Sequence, residues 1–283
     1  MNSLEKPIVN WFRKNKRDLP WRNTSPWGVM VSEYMLQQTP VSRVLPKWIE
    51  WMDGWPTPKD LAKATPAEVI TAWGRLGYPR RSLRLHEAAK IISEDFGNQI
   101  PEDEVTLQLL PGIGQYTSAA IAAFAFQAHT LVMDVNIRRV LTRVIDGNEY
   151  PNPAPHQMEK ASRQALLPTK NGHIWAAATM ELGALICTSR KPKCDECPVI
   201  SQCKWRKNGY PKSELIRKSQ GWHGTARKCR GTILQALREN ESLTENAIKK
   251  LWPDVSQVER AIETLLDDLL IQVIHHNRYR LPQ

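Results

Sequence analysis

The chain has 283 residues, enough for two or three modest domains with cores of their own. Its 39 Lys and Arg against 29 Asp and Glu leave a formal charge of +10, a balance that suits a polyanionic partner. No apolar run approaches membrane-spanning length and the first residues lack the apolar centre of a signal peptide, so the sequence predicts a soluble, cytoplasmic protein with no membrane partner.

Residues 4 to 17 read as a short amphipathic helix, with Ile8, Val9, Trp11 and Phe12 set against Lys14, Lys16 and Arg17. Asp18-Leu19-Pro20-Trp21-Arg22 breaks it; by residue type Trp21 is a core anchor. Residues 29 to 38, VMVSEYMLQQ, are helical by period, and Glu33 sits in the middle of the apolar pattern. A carboxylate there is either solvated or buried with a raised pKa, and spacing alone favours the solvated position. Trp48, Trp51 and Trp55 have the spacing of core residues. Thr65-Pro66-Ala67-Glu68 is a capping box with Pro at the first helical position, opening a helix that ends near Gly77. Tyr78-Pro79-Arg80-Arg81-Ser82-Leu83-Arg84 then gathers basic residues behind an aromatic. That composition grips and pries apart a duplex, and it also describes a solvated helix start.

In Leu110-Pro111-Gly112-Ile113-Gly114 two glycines permit a tight turn, and Thr117 to Phe126 is a small, apolar run that reads as a buried helix. A glycine turn opening a helix points backbone N–H groups outward, a ready anion site as well as an ordinary helix–helix turn. Tyr116 lies just inside this helix. Asp134 opens the next one (Val135 to Ile145), where its side chain can cap, with Asn136, Arg138, Arg139 and Arg143 following. Residues 151 to 156, PNPAPH, form a loop. Cys187, Cys194, Cys197 and Cys203 give C-x6-C-x2-C-x5-C, and four thiols so close point to a metal rather than to disulfides. Zinc sites usually pair two C-x-x-C knuckles, and this stretch has a single one. Arg190, Lys191 and Lys193 lie between the first two cysteines; Cys229 falls outside the pattern. Residues 205 to 228 are polar, basic and broken by Gly and Pro, and read as a linker. In the tail, Thr232 to Arg238, Thr244 to Leu251 and Ser256 to Leu270 are helical by period. Ile271 to Ile274 and Arg278 to Leu281 read as a β-hairpin around His275-His276-Asn277. Strand signal is almost confined to this end, so the fold class is mainly α.

The string L-P-G-I-G-x-Y-T over Leu110 to Thr117, followed by Asp134, resembles the helix-hairpin-helix DNA glycosylase superfamily. S-E-x-M-L-Q-Q-T over Ser32 to Thr39 resembles its adenine-excising branch, the MutY family, and the cysteine spacing resembles the [4Fe-4S] loop of the endonuclease III and MutY branches. The resemblance spans roughly residues 8 to 205. It implies a six-helix barrel domain over 23–127 carrying the helix-hairpin-helix, and an iron–sulfur cluster domain from 1–22 and 128–205. A linker over 206–228 and a winged-helix-like domain over 229–283 would complete the chain. The implied activity is that of a monofunctional glycosylase of base excision repair. It would act as a monomer at the nucleoid, removing adenine mispaired with guanine or 8-oxoguanine from double-stranded DNA.

The same resemblance implies residue roles. Glu33 is the general acid, Asp134 stabilises the sugar cation, and Tyr116 and Asn136 position the pair. Trp21 and Arg22 line the base pocket, Gln37 and Gln38 lie at the wedge, Tyr78 intercalates and Arg81 grips DNA. Gly112 and Gly114 expose backbone to phosphate, and Arg190, Lys191 and Lys193 reach toward it. Cys187, Cys194, Cys197 and Cys203 hold the cluster. Tyr116 stands where the endonuclease III branch has the lysine nucleophile, and a phenol forms no Schiff base. The chain departs from the MutY pattern at Pro79, which replaces a second tyrosine, and at Ala177, where a polar residue is usual. It also lacks the usual Nudix-like C-terminal domain. The acidic third helix of the tail points to a contact or scaffold, and every catalytic candidate precedes residue 205, so tail deletion is expected to leave excision intact. Two alternatives stay open: a mismatch-specific thymine or uracil glycosylase of the same superfamily, and a non-enzymatic iron–sulfur DNA-binding regulator.

Overall fold

The structure, a computed structural model, describes residues 3–153, 157–213, 224–275 and 277–283. Parts of the expected 151–156 loop, 206–228 linker and terminal hairpin (residues 154–156, 214–223 and His276) lie outside the described residues. In chain order the first helices are α1 (Glu5–Asn15), α2 (Pro26–Leu36), α3 (Val41–Gly54), α4 (Pro58–Ala62) and α5 (Pro66–Trp73). They are followed by α6 (Arg80–Asp95), α7 (Glu104–Leu109), α8 (Gln115–Phe126) and α9 (Val135–Leu141). After a π-helical turn at Thr142–Asp146 come α10 (Gln157–Gln164), α11 (Gly172–Leu185) and α12 (Lys204–Lys207). The tail holds α13 (Ala226–Glu239), β1 (Leu243–Thr244), α14 (Glu245–Lys249), α15 (Val255–Asp267), β2 (Gln272–Ile274) and β3 (Arg278–Arg280). No described helix is long and apolar enough to cross a membrane.

The chain divides into two compact units. Unit one takes Met1–Pro26, Glu102–Gln108 and Ile113–Arg217. Its core sets Ile8 and Phe12 of α1 and Ala119, Ala120 and Ala123 of α8 against Ile137, Val140 and Leu141 of α9 and Trp175, Ala178 and Leu182 of α11. The three alanines let α8 pack closely; the larger side chains each stabilise by roughly 1.5–3 kcal/mol on full burial. α9 and α11 meet backbone to backbone at Gly183, where an added Cβ would stand 2.7 Å from the Cβ of Asn136 and 2.9 Å from its carbonyl oxygen.

Unit two takes Trp27–Pro101, Leu109–Gly112 and Lys218–Gln283. Trp48 and Trp51 are buried, as their spacing predicts, while Trp55 is half-buried: Trp51 meets Trp55 and Trp73 edge-on, with ring centroids 4.6 and 5.6 Å apart. Thr65 and Glu68 form the expected capping box at the start of α5. In the tail, three strands pair antiparallel in the order β1-β3-β2, Tyr279 lying opposite both Leu243 and Val273. β1 is only two residues long and leaves no periodic signal in the sequence. The tail does not close a core by itself. Cys229, Ile233, Leu237, Val258, Leu265 and Tyr279 share one cluster with Ile70 of α5, and Ala67 and Leu83 pack on it. Arg238 Nε also donates to the Ile70 carbonyl at 3.1 Å.

Candidate active-site residues and a four-cysteine loop

In unit two, α2 lacks a polar face: every residue from Trp27 to Met35 is buried. Glu33 lies in this run with 6% of its surface exposed, so its carboxyl is desolvated. Where α2 ends, the chain turns through Gln37, Gln38 and Thr39. Arg81 holds this turn. Its Nη1 donates to the carbonyls of Tyr34 (2.8 Å), Met35 (3.1 Å) and Gln37 (2.5 Å), and its Nη2 donates to Thr39 Oγ1 (2.9 Å) and the Gly77 carbonyl (3.0 Å). A guanidinium carries several donors in a fixed fork, so one side chain satisfies the orphan carbonyls at the end of α2 and ties them to the turn before Tyr78. This bears on the expectation for Arg81: only 6% exposed, its guanidinium is committed to the backbone and Thr39 rather than extended toward DNA. The sequence shows a basic string but not which member of it turns inward.

Beside the groups that Arg81 bonds, Gln38 (φ 55°) and Tyr78 (φ 47°) are both left-handed and exposed. A non-glycine residue pays roughly 1–2 kcal/mol for that backbone, and such strain persists where the surroundings over-determine it, typically at functional sites. Gln37 is half-buried beside them.

In the glycine turn, Gly112 has φ 86°, and a Cβ there would stand 3.0 Å from the Tyr34 ring and 3.1 Å from Arg84 Cβ. The Tyr34 hydroxyl donates a short hydrogen bond to the Pro111 carbonyl, and burial raises its pKa. Gly114 is different: its backbone is extended, and a Cβ would enter open space. It is the N-cap of α8, no side chain caps that helix, and Gly114 and Gln115 are exposed. The positive end of a 12-residue helix therefore faces outward. Tyr116, one step further in, is half-buried and packs against the core of unit one.

In unit one, Asp134 caps α9. Its Oδ1 accepts from the Ile137 amide and its Oδ2 from Asn136 Nδ2, both at 2.6 Å. Burial pushes its carboxyl above the ordinary carboxylate value of 3.8, while these hydrogen bonds and the nearby Arg139 pull it back. Arg139 extends the network: its Nη2 donates to Asn136 Oδ1 (2.8 Å) and the Gly183 carbonyl (2.7 Å), and its Nε donates to the Cys187 carbonyl (2.8 Å). A continuous hydrogen-bonded path thus joins Asp134 to the first cysteine of the loop. Sequence reasoning missed Arg139 as a positioning residue, since one arginine among several on a helix carries no mark.

The Pro20–Arg22 turn buries Trp21 and leaves Arg22 more open. Sequence reasoning also missed its anchor, Glu181 of α11, whose carboxyl is 2% exposed and takes the Arg17 amide (2.8 Å), Arg17 Nε (3.0 Å) and Arg17 Nη2 (2.6 Å). Arg22 Nη2 joins at 3.0 Å. Burial works against the anion, but the two arginines hold the Glu181 carboxyl below the usual range.

Cys187, Cys194, Cys197 and Cys203 line one cavity with Val140, Leu182 and Trp205, and all are free thiols. Among the described residues, no three His, Cys, Asp or Glu side chains close on a point that a single metal ion would fill. Four cysteine thiolates are the donor set of a [4Fe-4S] centre. Burial, then the neighbouring thiols, pushes Cys197 up to about 12, a crowding that cationic iron relieves. Arg143 Nη1 lies 3.4 Å from Cys187 Sγ and donates to the Thr188 carbonyl at 2.8 Å, while its guanidinium stacks 4.5 Å from the Trp205 ring centre. The donor set fits the cluster. Arg190, Lys191 and Lys193 are exposed on the same loop.

Comparison with known proteins places these features. A profile of the HhH-GPD superfamily of base excision DNA repair proteins matches residues 31–168, and the iron–sulfur binding domain of endonuclease III matches residues 187–203. The chain is 43% identical to an adenine DNA glycosylase of Mycolicibacterium smegmatis, over 97% of this chain and 94% of that protein. It is 42% identical to the adenine DNA glycosylase of Mycobacterium tuberculosis, over 97% and 92%. The human adenine DNA glycosylase is also 42% identical, over 70% of this chain and 38% of that protein. Among solved structures, a thermostable thymine-DNA glycosylase superposes with a TM-score of 0.66 at 26% identity, over 72% of this chain and 95% of that one. An endonuclease III–DNA complex shares the fold with a TM-score of 0.64 at 17% identity, over 74% and 96%.

Proposed function

This chain belongs to the adenine DNA glycosylase family within the HhH-GPD superfamily of base excision DNA repair proteins, and from that premise we propose that it excises adenine mispaired with guanine or 8-oxoguanine in double-stranded DNA. The target base must leave the stack to be reached. Glu33 carries the proton that passes to a ring nitrogen of the flipped adenine as the N-glycosidic bond breaks. The bond's electrons leave with the base, and positive charge grows on the sugar. Asp134, ionised, stabilises that charge until water adds to the sugar carbon and releases its proton. Asn136 orients the carboxylate, supported by its 2.6 Å hydrogen bond. Tyr116 positions the reacting groups, and its phenol forms no imine with the sugar, so the product is an abasic site in an intact strand.

Gln38 and Tyr78 wedge into the duplex, a role that their exposed, left-handed backbones support. The α8 N-terminus at Gly114 receives a phosphate, and Trp21 and Arg22 wall the base pocket. Cys187, Cys194, Cys197 and Cys203 would hold a [4Fe-4S] cluster, which would cross-link the 187–203 loop, and Arg190, Lys191 and Lys193, exposed on that loop, reach toward phosphate. The protein works as a monomer on nucleoid DNA, consistent with its charge of +10.

The observation that carries this reading is the buried Glu33 carboxyl in an otherwise apolar helix. The test is a base-release assay over every mispair in one labelled duplex. Adenine release from A:G and A:8-oxoguanine, with none from T:G, is the expected result. Release of thymine from T:G in preference to adenine would instead favour the thymine-glycosylase reading, which shares Tyr116 and Asp134.

A further inference from the structure

The tail reads as acidic in sequence, yet one side of it is the reverse. Within unit two, α13 and the segment from Gly74 to Arg84 border an open groove of about 1260 Å³. That is larger than the roughly 300–1,000 Å³ typical of a small-molecule pocket. Nine lysine and arginine side chains line it against two carboxylates, Glu239 and Asp268. Asp268 is already held by Arg80 at 3.0 Å and by a short contact from Arg230, so it neutralises none of the others. The acidic side chain of Glu259 on α15 pairs with Lys249 at 2.9 Å and does not line the groove.

The groove is short of anions. Burial lowers both Arg81 and Arg238 to about 10; Tyr78 opposes the fall at Arg81, while Arg43 and Arg75 add to it at Arg81 and Arg238 respectively. The lining also includes Gln37, Gln38 and Tyr78. Arg227, from the first turn of α13, sets its guanidinium 5.2 Å from the centre of the Tyr78 ring.

We propose that α13 and the Gly74–Arg84 segment form one phosphate-binding groove for duplex DNA, so that the C-terminal domain is part of the DNA-contacting surface. Arg75 and Arg227 are its principal contacts: both line the groove, both are exposed, and they come from its two sides. The assignment rests on the reading of this chain as a glycosylase of double-stranded DNA. It replaces the expectation that the tail serves only as a scaffold or protein contact.

The test uses the full-length, iron-loaded protein and a fluorescent duplex without a mispair, titrated over a series of KCl concentrations. Each phosphate contact contributes about 0.9 to the slope of log affinity against log salt. The double variant Arg75→Ala with Arg227→Ala should lose about tenfold in affinity near physiological salt and show a slope shallower by about two. The milder pair Arg75→Gln with Arg227→Gln should match it, at native melting temperature and iron content. A control pair with equal charge loss, Lys250→Ala with Arg260→Ala, lies in the same domain but off the groove, and should keep the native slope. A native slope in the groove variants, or an equal loss in the control pair, would overturn the proposal. Because the readout is binding, a native protein that excises no adenine but shows the slope change would refute the substrate reading and uphold the groove.

Discussion

At the scale of single residues, the proposed chemistry turns on how Asp134 is held. Burial raises its pKa above 3.8, and the Ile137 amide, Asn136 and Arg139 lower it again. In the proposed role, its raised pKa would place the acid-side loss of excision at a pH above that expected for an ordinary aspartate. Removing a donor to the anion raises the pKa further. Asn136→Ala should therefore move the acid limb of the single-turnover rate to higher pH and slow excision about tenfold or more at pH 7; an unmoved limb would detach Asn136 from Asp134. Glu181 has the opposite sign. Its folded pKa lies below the reference 4.5, so its ion pairs stabilise the fold fully above that pH and are lost as the pH falls through the folded value. Glu181→Gln should cost about 2 kcal/mol at pH 7, less than a fully buried pair because both arginines keep some water. That deficit should shrink in urea melts run below pH 4.5. Legibility differed between these residues. Glu33 and Asp134 stood in recognisable strings, although Glu33's spacing alone pointed to solvent. Glu181 meets Arg17 across 164 residues of sequence, and no local pattern records such a contact.

At the scale of elements, the glycine turn separates a structural glycine from one with an exposed neighbourhood. Gly112→Ala forces φ 86° on a Cβ with the Tyr34 ring 3.0 Å away, and should destabilise by about 1–2 kcal/mol from the backbone alone. Gly114→Ala meets open space and should leave the melting temperature nearly unchanged while weakening duplex binding, because the new methyl stands at the exposed start of α8. Equal losses of stability in the two variants would contradict this division. The sequence announced the pair of glycines but not their difference, which depends on Tyr34 and Arg84 in distant helices. Arg81 teaches the same lesson. Its neighbours in sequence are basic, so it reads as a DNA contact. Its true partners are backbone carbonyls, which every residue possesses and no sequence distinguishes. Arg81→Ala should leave those carbonyls without their donor and cost about 3 kcal/mol in denaturant melts.

At the scale of the whole molecule, helical content, the cysteine loop and the family were legible because each rests on local spacing. The attachment of the tail was not, since Ile70 looks like any core residue of α5 until Cys229, Leu237 and Tyr279 are seen against it. Deleting residues 224–283 should therefore lower the melting temperature of the remainder and expose apolar surface, measurable by dye binding. Whether the truncated chain still excises, as expected from the catalytic candidates all preceding residue 205, is read by single-turnover release from the same variant. The central claim, adenine excision by a buried acid, is tested most directly by single-turnover adenine release from an A:G duplex with Glu33→Gln, measured beside duplex affinity. The amide keeps the shape and loses the proton, so release should fall by about 10²–10⁴ or more while affinity stays near native. Release at a near-native rate from Glu33→Gln would contradict the account.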